Sequence, residues 1–261
     1  MEVLYLNVNG FAGAKDKRTK GDTNNIEIAK KILYEIFNKS DPEIIFLSEF
    51  NVHEDAVKKL IKTLENKGYL PVYPNNIDNT DGIKDGRIKS IVMAFVKTND
   101  KELRSEKSPK CVLTYKWNEI VYKGRRLVGL HPPSIAEKYR TEEEIGEIWK
   151  AVYDHYINLE DEKINLIGDM NVFHEGTPGK EWFDKIIESG GIDAWDEKYP
   201  DSTIEESYTH ITRKGEKVRL DYAIMSKSAY NDLIDIKNLQ GFIKEGLSDH
   251  SAILINLKDI E

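Results

Sequence analysis

Short, wholly apolar runs alternate along the chain with stretches whose apolar residues recur at a helical period. Val3-Leu4-Tyr5-Leu6 and Glu43-Ile44-Ile45-Phe46-Leu47 are short, apolar and bounded by turn formers, which predicts buried strands. Between them Ile28, Ala29, Ile32, Leu33 and Ile36 share one face at a period of about 3.6, predicting a helix that stops before Ser40-Asp41-Pro42. Ala56, Val57, Leu60, Ile61 and Leu64 predict a second helix ending near Gly68. A third opens at Thr141, whose hydroxyl can cap while Glu144 reaches back, and it turns Ile145, Ile148, Trp149, Val152 and Tyr156 toward a core. Trp182, Phe183, Ile186 and Ile187 predict a fourth. Further strands are expected at Ser90 to Val96, Val112 to Tyr122 as a hairpin, Leu127 to Leu130, Ile164 to Ile167, Val218 to Met225 and Ala252 to Ile255. Many strands and few helices in mixed order predict an α/β layered fold rather than a plain βαβ series. No repeat, low-complexity tract or linker interrupts the pattern, so a single domain over residues 1–261 is expected.

Composition narrows the partners. With 38 Lys and Arg against 46 Asp and Glu, the net charge of −8 gives no general attraction to a phosphate backbone or an anionic membrane. Any contact with nucleic acid must come from local patches. The single cysteine, Cys111, cannot form an internal disulfide. No charged start with a long apolar run marks a signal peptide or a membrane span, so a reduced, cytoplasmic setting is expected.

Chemistry emerges when the polar residues at the ends of the apolar runs are collected. Asn7 follows Leu4-Tyr5-Leu6, Glu49 follows Ile45-Phe46-Leu47, His131 follows Leu127 to Leu130, and Asp169 and Asn171 follow Asn165-Leu166-Ile167-Gly168. Asp221 and the pair Asp249-His250 also sit at strand ends. Singly, each is an ordinary turn residue. As a set at the ends of sheet strands, they can converge on one crevice. Glu49 is a hard oxygen ligand and Asn7 can hold a phosphate oxygen or a metal-bound water, a combination suited to Mg²⁺ or Mn²⁺. Asp169 can take a proton from water, and Asn171 would point the same way on an extended segment, as a neutral donor to phosphate. His250, if protonated, offers a cation to a pentacovalent phosphorus species, and an acid on its other ring nitrogen would favour that charge.

The segments "LYLNVNG", "IIFLSEF", "NLIGDMNV", "RLDYAIMS" and "GLSDHSAI" resemble, in order, the motif series of the endonuclease/exonuclease/phosphatase superfamily, which includes exonuclease III and deoxyribonuclease I. The resemblance runs from the first strand to the last. It implies a four-layer αββα sandwich, two mixed β-sheets face to face with helices outside. It also implies that Asp221 is the acid on His250 and that Asp249 joins the metal or its waters. The resemblance places His131 as a general acid or phosphate donor, a choice shared with deoxyribonuclease I-like and phosphatase-like members, where exonuclease III-like members tend to carry tyrosine. The chain departs from the family at Leu6-Asn7, where Trp-Asn or Phe-Asn is usual, and at Ser48-Glu49-Phe50-Asn51, where "QETK" is usual. Ser90-Ile91 stands in place of a Ser-Gly pair. An abasic-DNA repair role therefore does not follow, and Ser48 in place of glutamine removes a support of the metal glutamate.

Substrate contacts are expected from Asn9 in the first motif and from Lys15, Lys17, Arg18 and Lys20 in the loop leaving it. The "KGRR" segment from Lys123 to Arg126 is expected as a solvated hairpin turn about 15 Å from the catalytic end. Arg213, Lys214 and Lys217 flank another turn, and His174 and His210 are expected at the surface or behind the site. One basic loop on an acidic protein gives thin support for tight duplex binding. The reading favoured is a metal-dependent nuclease using an activated water. A phosphatase or phosphodiesterase acting on a small phosphate ester, such as a nucleotide or phosphoinositide, is the alternative. A binding protein that kept the fold and lost the chemistry stands third. No protein partner is indicated.

Overall fold

Strands that are apolar at successive positions must bury both faces, and this sets the architecture of the computed structural model, which describes residues 1–13, 22–51, 55–75, 90–98, 103–109, 114–135, 140–159 and 162–259. In chain order the strands are β1 (Glu2–Asn7), β2 (Ile44–Phe50), β3 (Tyr69–Val72), β4 (Ile91–Lys97), β5 (Arg104–Glu106), β6 (Trp117–Tyr122) and β7 (Arg125–Leu130). They continue with β8 (Ile164–Asp169), β9 (Ile192–Asp193), β10 (His210–Ile211), β11 (Lys217–Val218), β12 (Asp221–Met225), β13 (Leu233–Leu239) and β14 (Ala252–Leu257). One sheet runs β13-β14-β1-β2-β4-β3, a second runs β5-β6-β7-β8-β12-β9, and β10 and β11 form a separate ribbon. Both large sheets are mixed, because β1 and β2 pair in parallel, as do β7 and β8, within otherwise antiparallel ladders.

Alternate side chains of each strand enter different cores. Leu4 and Leu6 of β1 join Leu47 and Met93 under the helices α1 (Asp22–Lys39) and α2 (Asp55–Asn66), with Ile32, Ile36, Leu60 and Leu64. Val3 and Tyr5 face the other way, into an inter-sheet core with Phe46, Ala94, Ile167, Ala223 and Ile253. A third core lies between the second sheet and the helices α3 (Glu142–Asn158) and α4 (Pro178–Glu188), built on Trp149, Val152, Leu166 and Phe183. Helix, sheet, sheet, helix: this is the αββα sandwich. The Thr141 capping box forms, its Oγ1 accepting from Glu144 N at 3.2 Å while Glu144 Oε2 accepts from Thr141 N at 2.9 Å. Thr141→Ala should therefore cost about 1 kcal/mol, read as a lower urea midpoint at unchanged m-value.

Several elements differ from the sequence expectation. Of the hairpin expected over Val112 to Tyr122, the first two residues lie outside the described residues; Thr114–Lys116 is a short 3₁₀ turn, and β6 pairs with β7 through Lys123-Gly124, both with left-handed φ (48° and 67°), the signature of a tight two-residue turn. That turn is as expected, but "KGRR" is not a solvated cluster. Arg125 is 1% exposed, its Nη2 donating to Asp232 Oδ2 (3.0 Å) and Lys258 O (2.6 Å), and Arg126 pairs with Glu119 and Glu162. The charges of the hairpin are met by carboxylates and a carbonyl from distant segments instead of by water alone. The run Val218 to Met225 breaks at Arg219-Leu220, leaving β11 to pair with β10 and β12 with β8. β13, an unexpected strand, forms an edge of the first sheet, with Ile236 buried and Ile234 and Lys237 exposed.

Candidate active site

The pairing described above collects the strand-end residues at one rim of the sandwich. Parallel pairing sets Asn7 beside Ser48, and antiparallel pairing sets Asp169 opposite Asp221. Parallel β7 and β8 put Leu130 beside Gly168, so His131 and Asp169 leave their strands together. Ser248, in the segment before β14, closes the circle: its Oγ donates to Asn7 O at 2.6 Å and accepts from His250 N at 3.1 Å.

Asp169 is the centre. Its Oδ2 accepts from Asn7 Nδ2 at 3.0 Å and its Oδ1 from Asn171 N at 3.2 Å. His131 Nε2 stands 3.5 Å and His250 Nε2 3.6 Å from the same Oδ2. Asn7 Nδ2 also reaches Glu49 Oε1 at 3.4 Å, so this amide ties the two carboxylates together through its N–H groups, while its oxygen accepts from Asn9 N at 2.9 Å. His250 Nδ1 meets Asp221 Oδ2 at 2.8 Å. Burial pushes the Asp169 carboxyl up to about 7, with Asp221 and Glu49 adding to the effect and His250 and Asn7 opposing it. Burial by itself would discharge His250, but Asp221 and Asp169 outweigh it and hold the imidazolium up to about 10.

Backbone geometry aims the remaining groups. Glu49 has φ 52°, at a point where the β2–β4 register slips between Leu47 and Phe50, so a bulge turns its side chain toward the rim. Ser48, the preceding residue, points into the inter-sheet core, where its Oγ accepts from Tyr5 OH at 2.7 Å. It braces the sheets. Asn171 has φ 54°, so the extended segment expected after Asp169 does not form, and its Nδ2 donates to Pro132 O at 3.0 Å, joining the loops after β7 and β8. Asn9 is also left-handed and its Nδ2 donates to Gly13 O at 3.0 Å, closing the first loop upon itself. Lys15, Lys17, Arg18 and Lys20 lie outside the described residues.

Two residues behind the site carry more than the sequence suggested. Thr209 Oγ1 accepts from both Leu220 N and Asp221 N at 2.9 Å, fixing Asp221. His210 packs its ring against His250, with centroids 4.5 Å apart, and its Nδ1 donates to Asp249 O at 3.0 Å. Burial, with the neighbouring imidazolium, lowers the His210 pKa. The only signal for either was "SYTH", which carries no spacing that points to "SDH".

The donor set fits a divalent metal ion. Asp221 Oδ1 and Asp249 Oδ1 are buried oxygens without a hydrogen-bond partner among the described residues, and the Glu49 and Asp169 carboxylates stand at the same rim on either side of the Asn7 amide. Carboxylates held this close, in a buried rim, favour a hard cation with oxygen ligands.

No protein-family model matches the chain, and no curated protein matches it. Solved structures do. The chain is similar to a 3′ phosphatase, NExo, from Neisseria bound to product DNA hairpin, with TM-score 0.70 and 16% identity over 99% of both chains. It is similar to an AP endonuclease from Archaeoglobus fulgidus, with TM-score 0.70 and 15% identity over 98% of this chain and 99% of that one. A third likeness is to the 3′-5′ exonuclease (NExo) from Neisseria meningitidis, with TM-score 0.70 and 14% identity over 99% of this chain and 100% of that one. The two mixed sheets with flanking helices are the deoxyribonuclease I-like fold of these proteins, over essentially the whole length.

Proposed function

We propose that the chain is a divalent-metal-dependent phosphoesterase that hydrolyses phosphodiester bonds of nucleic acid with an activated water. The observation that carries this reading is the buried Asp169 carboxylate, gripped by Asn7 and Asn171 and faced by two imidazoles, one of them charged by Asp221. The DNA enzymes of the same fold support it.

Each residue then has a role set by its surroundings. Asp169 accepts the proton of the attacking water, a role suited to a carboxyl raised to about 7. His250, kept charged by Asp221, neutralises the non-bridging oxygens as negative charge gathers on phosphorus. His131, beside both Glu49 and Asp169, is placed to donate to the phosphate or to the leaving oxygen. Asn171 keeps Asp169 in position through its backbone N–H. Glu49 and Asp249 would hold Mg²⁺ or Mn²⁺, with Asn7 bracing Glu49. When bound, the ion supplies Lewis-acid polarisation of the phosphoryl group.

A phosphomonoesterase reading has its own support, since NExo carries both a 3′ phosphatase and a 3′-5′ exonuclease description. One rim serving both ester classes would differ only in what lies beyond the phosphate.

Hydrolysis of single- and double-stranded oligonucleotides and of a 3′-phosphorylated oligonucleotide, with Mg²⁺ or Mn²⁺ and with EDTA, tests the proposal. Turnover should vanish in EDTA and return with the metal. Glu49→Gln should raise the Mg²⁺ concentration for half-maximal activity by roughly tenfold or more and lower activity with it. An unchanged metal titration in Glu49→Gln would remove Glu49 from the ion. EDTA-resistant turnover would remove the ion from the reaction.

A further inference from the structure

Just beyond the turn that carries Asn171 stands an exposed aromatic pair that the chemistry above leaves unused. Met170 and Val172 are buried in the core beneath α3 and α4, whereas Phe173 is 42% exposed. Its ring packs edge-on against His174, with centroids 4.6 Å apart at 60°. Hydrogen bonds anchor the chain on both sides of the pair. Upstream, Asn171 is tied to Asp169 Oδ1 and Pro132 O. Downstream, His174 O accepts from Thr177 Oγ1 at 2.8 Å, and that hydroxyl in turn accepts from Lys180 N at the start of α4. Four residues of chain span at most about 14 Å, which keeps Phe173 within a few nucleotides of a phosphate at Asp169.

Charge decides what such a ring is for. The protein carries −8 overall, and Glu49, Asp169, Asp221 and Asp249 crowd the rim, so a phosphate backbone meets repulsion before it meets the ion. Stacking on an aromatic face is indifferent to that charge and is available from every base, but only when the base is out of the duplex stack. We propose that Phe173, steadied by His174, is a stacking platform for an unpaired nucleobase beside the hydrolysed phosphate, so that the site selects single-stranded nucleic acid over intact duplex. The proposal rests on the phosphodiesterase reading and names its substrate class.

The test compares two single-stranded oligonucleotides of equal length and charge, one with bases throughout and one built of base-free tetrahydrofuran units, under identical salt and Mg²⁺. Phe173→Ala should lower kcat/KM on the base-bearing strand by about tenfold, chiefly through KM. It should leave the base-free strand unchanged. Phe173→Trp should restore or exceed wild-type activity, and Phe173→Leu, apolar but without a π-face, should stay near the alanine value. The wild-type preference for single strand over duplex should shrink in Phe173→Ala. Equal losses on both strands, or no loss on either, overturn the platform while leaving the enzyme intact. Absence of turnover on every phosphodiester in wild type overturns the phosphodiesterase reading itself.

Discussion

Asp169→Asn is expected to lower kcat on a confirmed phosphodiester by about 10³-fold while leaving the protein folded and at least as stable as the wild type. The amide matches the carboxylate in shape and can still accept from Asn7, whose Nδ2 lies 3.0 Å away, but it cannot take a proton from water. Stability should move opposite to activity. Burial raises the Asp169 carboxyl to about 7 in the folded chain, above its ordinary range near 4, so the folded state is penalised as pH rises across that window. Asp169→Asn removes the penalty, and in EDTA its unfolding midpoint should exceed that of the wild type at pH 8 and match it near pH 4. The wild-type activity profile should rise through about 7 as Asp169 ionises and fall through about 10 as His250 loses its proton. His250→Ala should cost a comparable factor, and the double variant should lose much less than the product of the two, because base and cation act on one transition state. Near-normal turnover in Asp169→Asn, or a double variant showing the full product, would refute these roles.

Gly168→Ala is expected to be the most damaging small substitution to the fold, at about 3 kcal/mol or more. A Cβ at this position would fall 2.1 Å from Leu130 O, a backbone atom of the neighbouring parallel strand that also accepts from Tyr5 OH at 2.9 Å. No side chain can swing aside, so β7 and β8 must part, just where His131 and Asp169 leave them. Activity should fall with stability. Gly215→Ala is the contrast: its Cβ meets nothing within 4 Å and only its φ of 83° is unfavourable, so a loss near 1 kcal/mol is expected there. A urea midpoint for Gly168→Ala within error of Gly215→Ala would contradict the close approach.

The legible part of the molecule was the part governed by local period. Runs such as Ile44 to Leu47 read as buried strands because both of their faces are covered, and Ile145 to Tyr156 read as a helix because one stripe is. The polar residues that end those runs were visible for the same reason, since a chain leaving an apolar sheet changes character abruptly. Local pattern misjudged Arg125, whose charge is neutralised by Asp232 and the backbone of Lys258, more than a hundred residues away. It could not place Ser48 in the inter-sheet core, nor show that a bulge with φ 52° turns Glu49 to the rim. His210 looked unremarkable because its partner, His250, is brought to it only by the bridge between β10 and the segment before β14.

Sequence by itself determined which segments bury both faces, where they end and which chemical groups stand at those ends, because burial follows from side-chain period and each strand end is a local event. Tertiary structure alone decided that Asn7, Glu49, His131, Asp169, Asp221 and His250 share one rim. Two parallel pairings and the antiparallel returns of β12 and β14 set that convergence. The protonation of Asp169 and His250 was decided at the same level, because a shift in pKa depends on burial and on neighbours drawn from distant strands, neither of which any local stretch of sequence encodes.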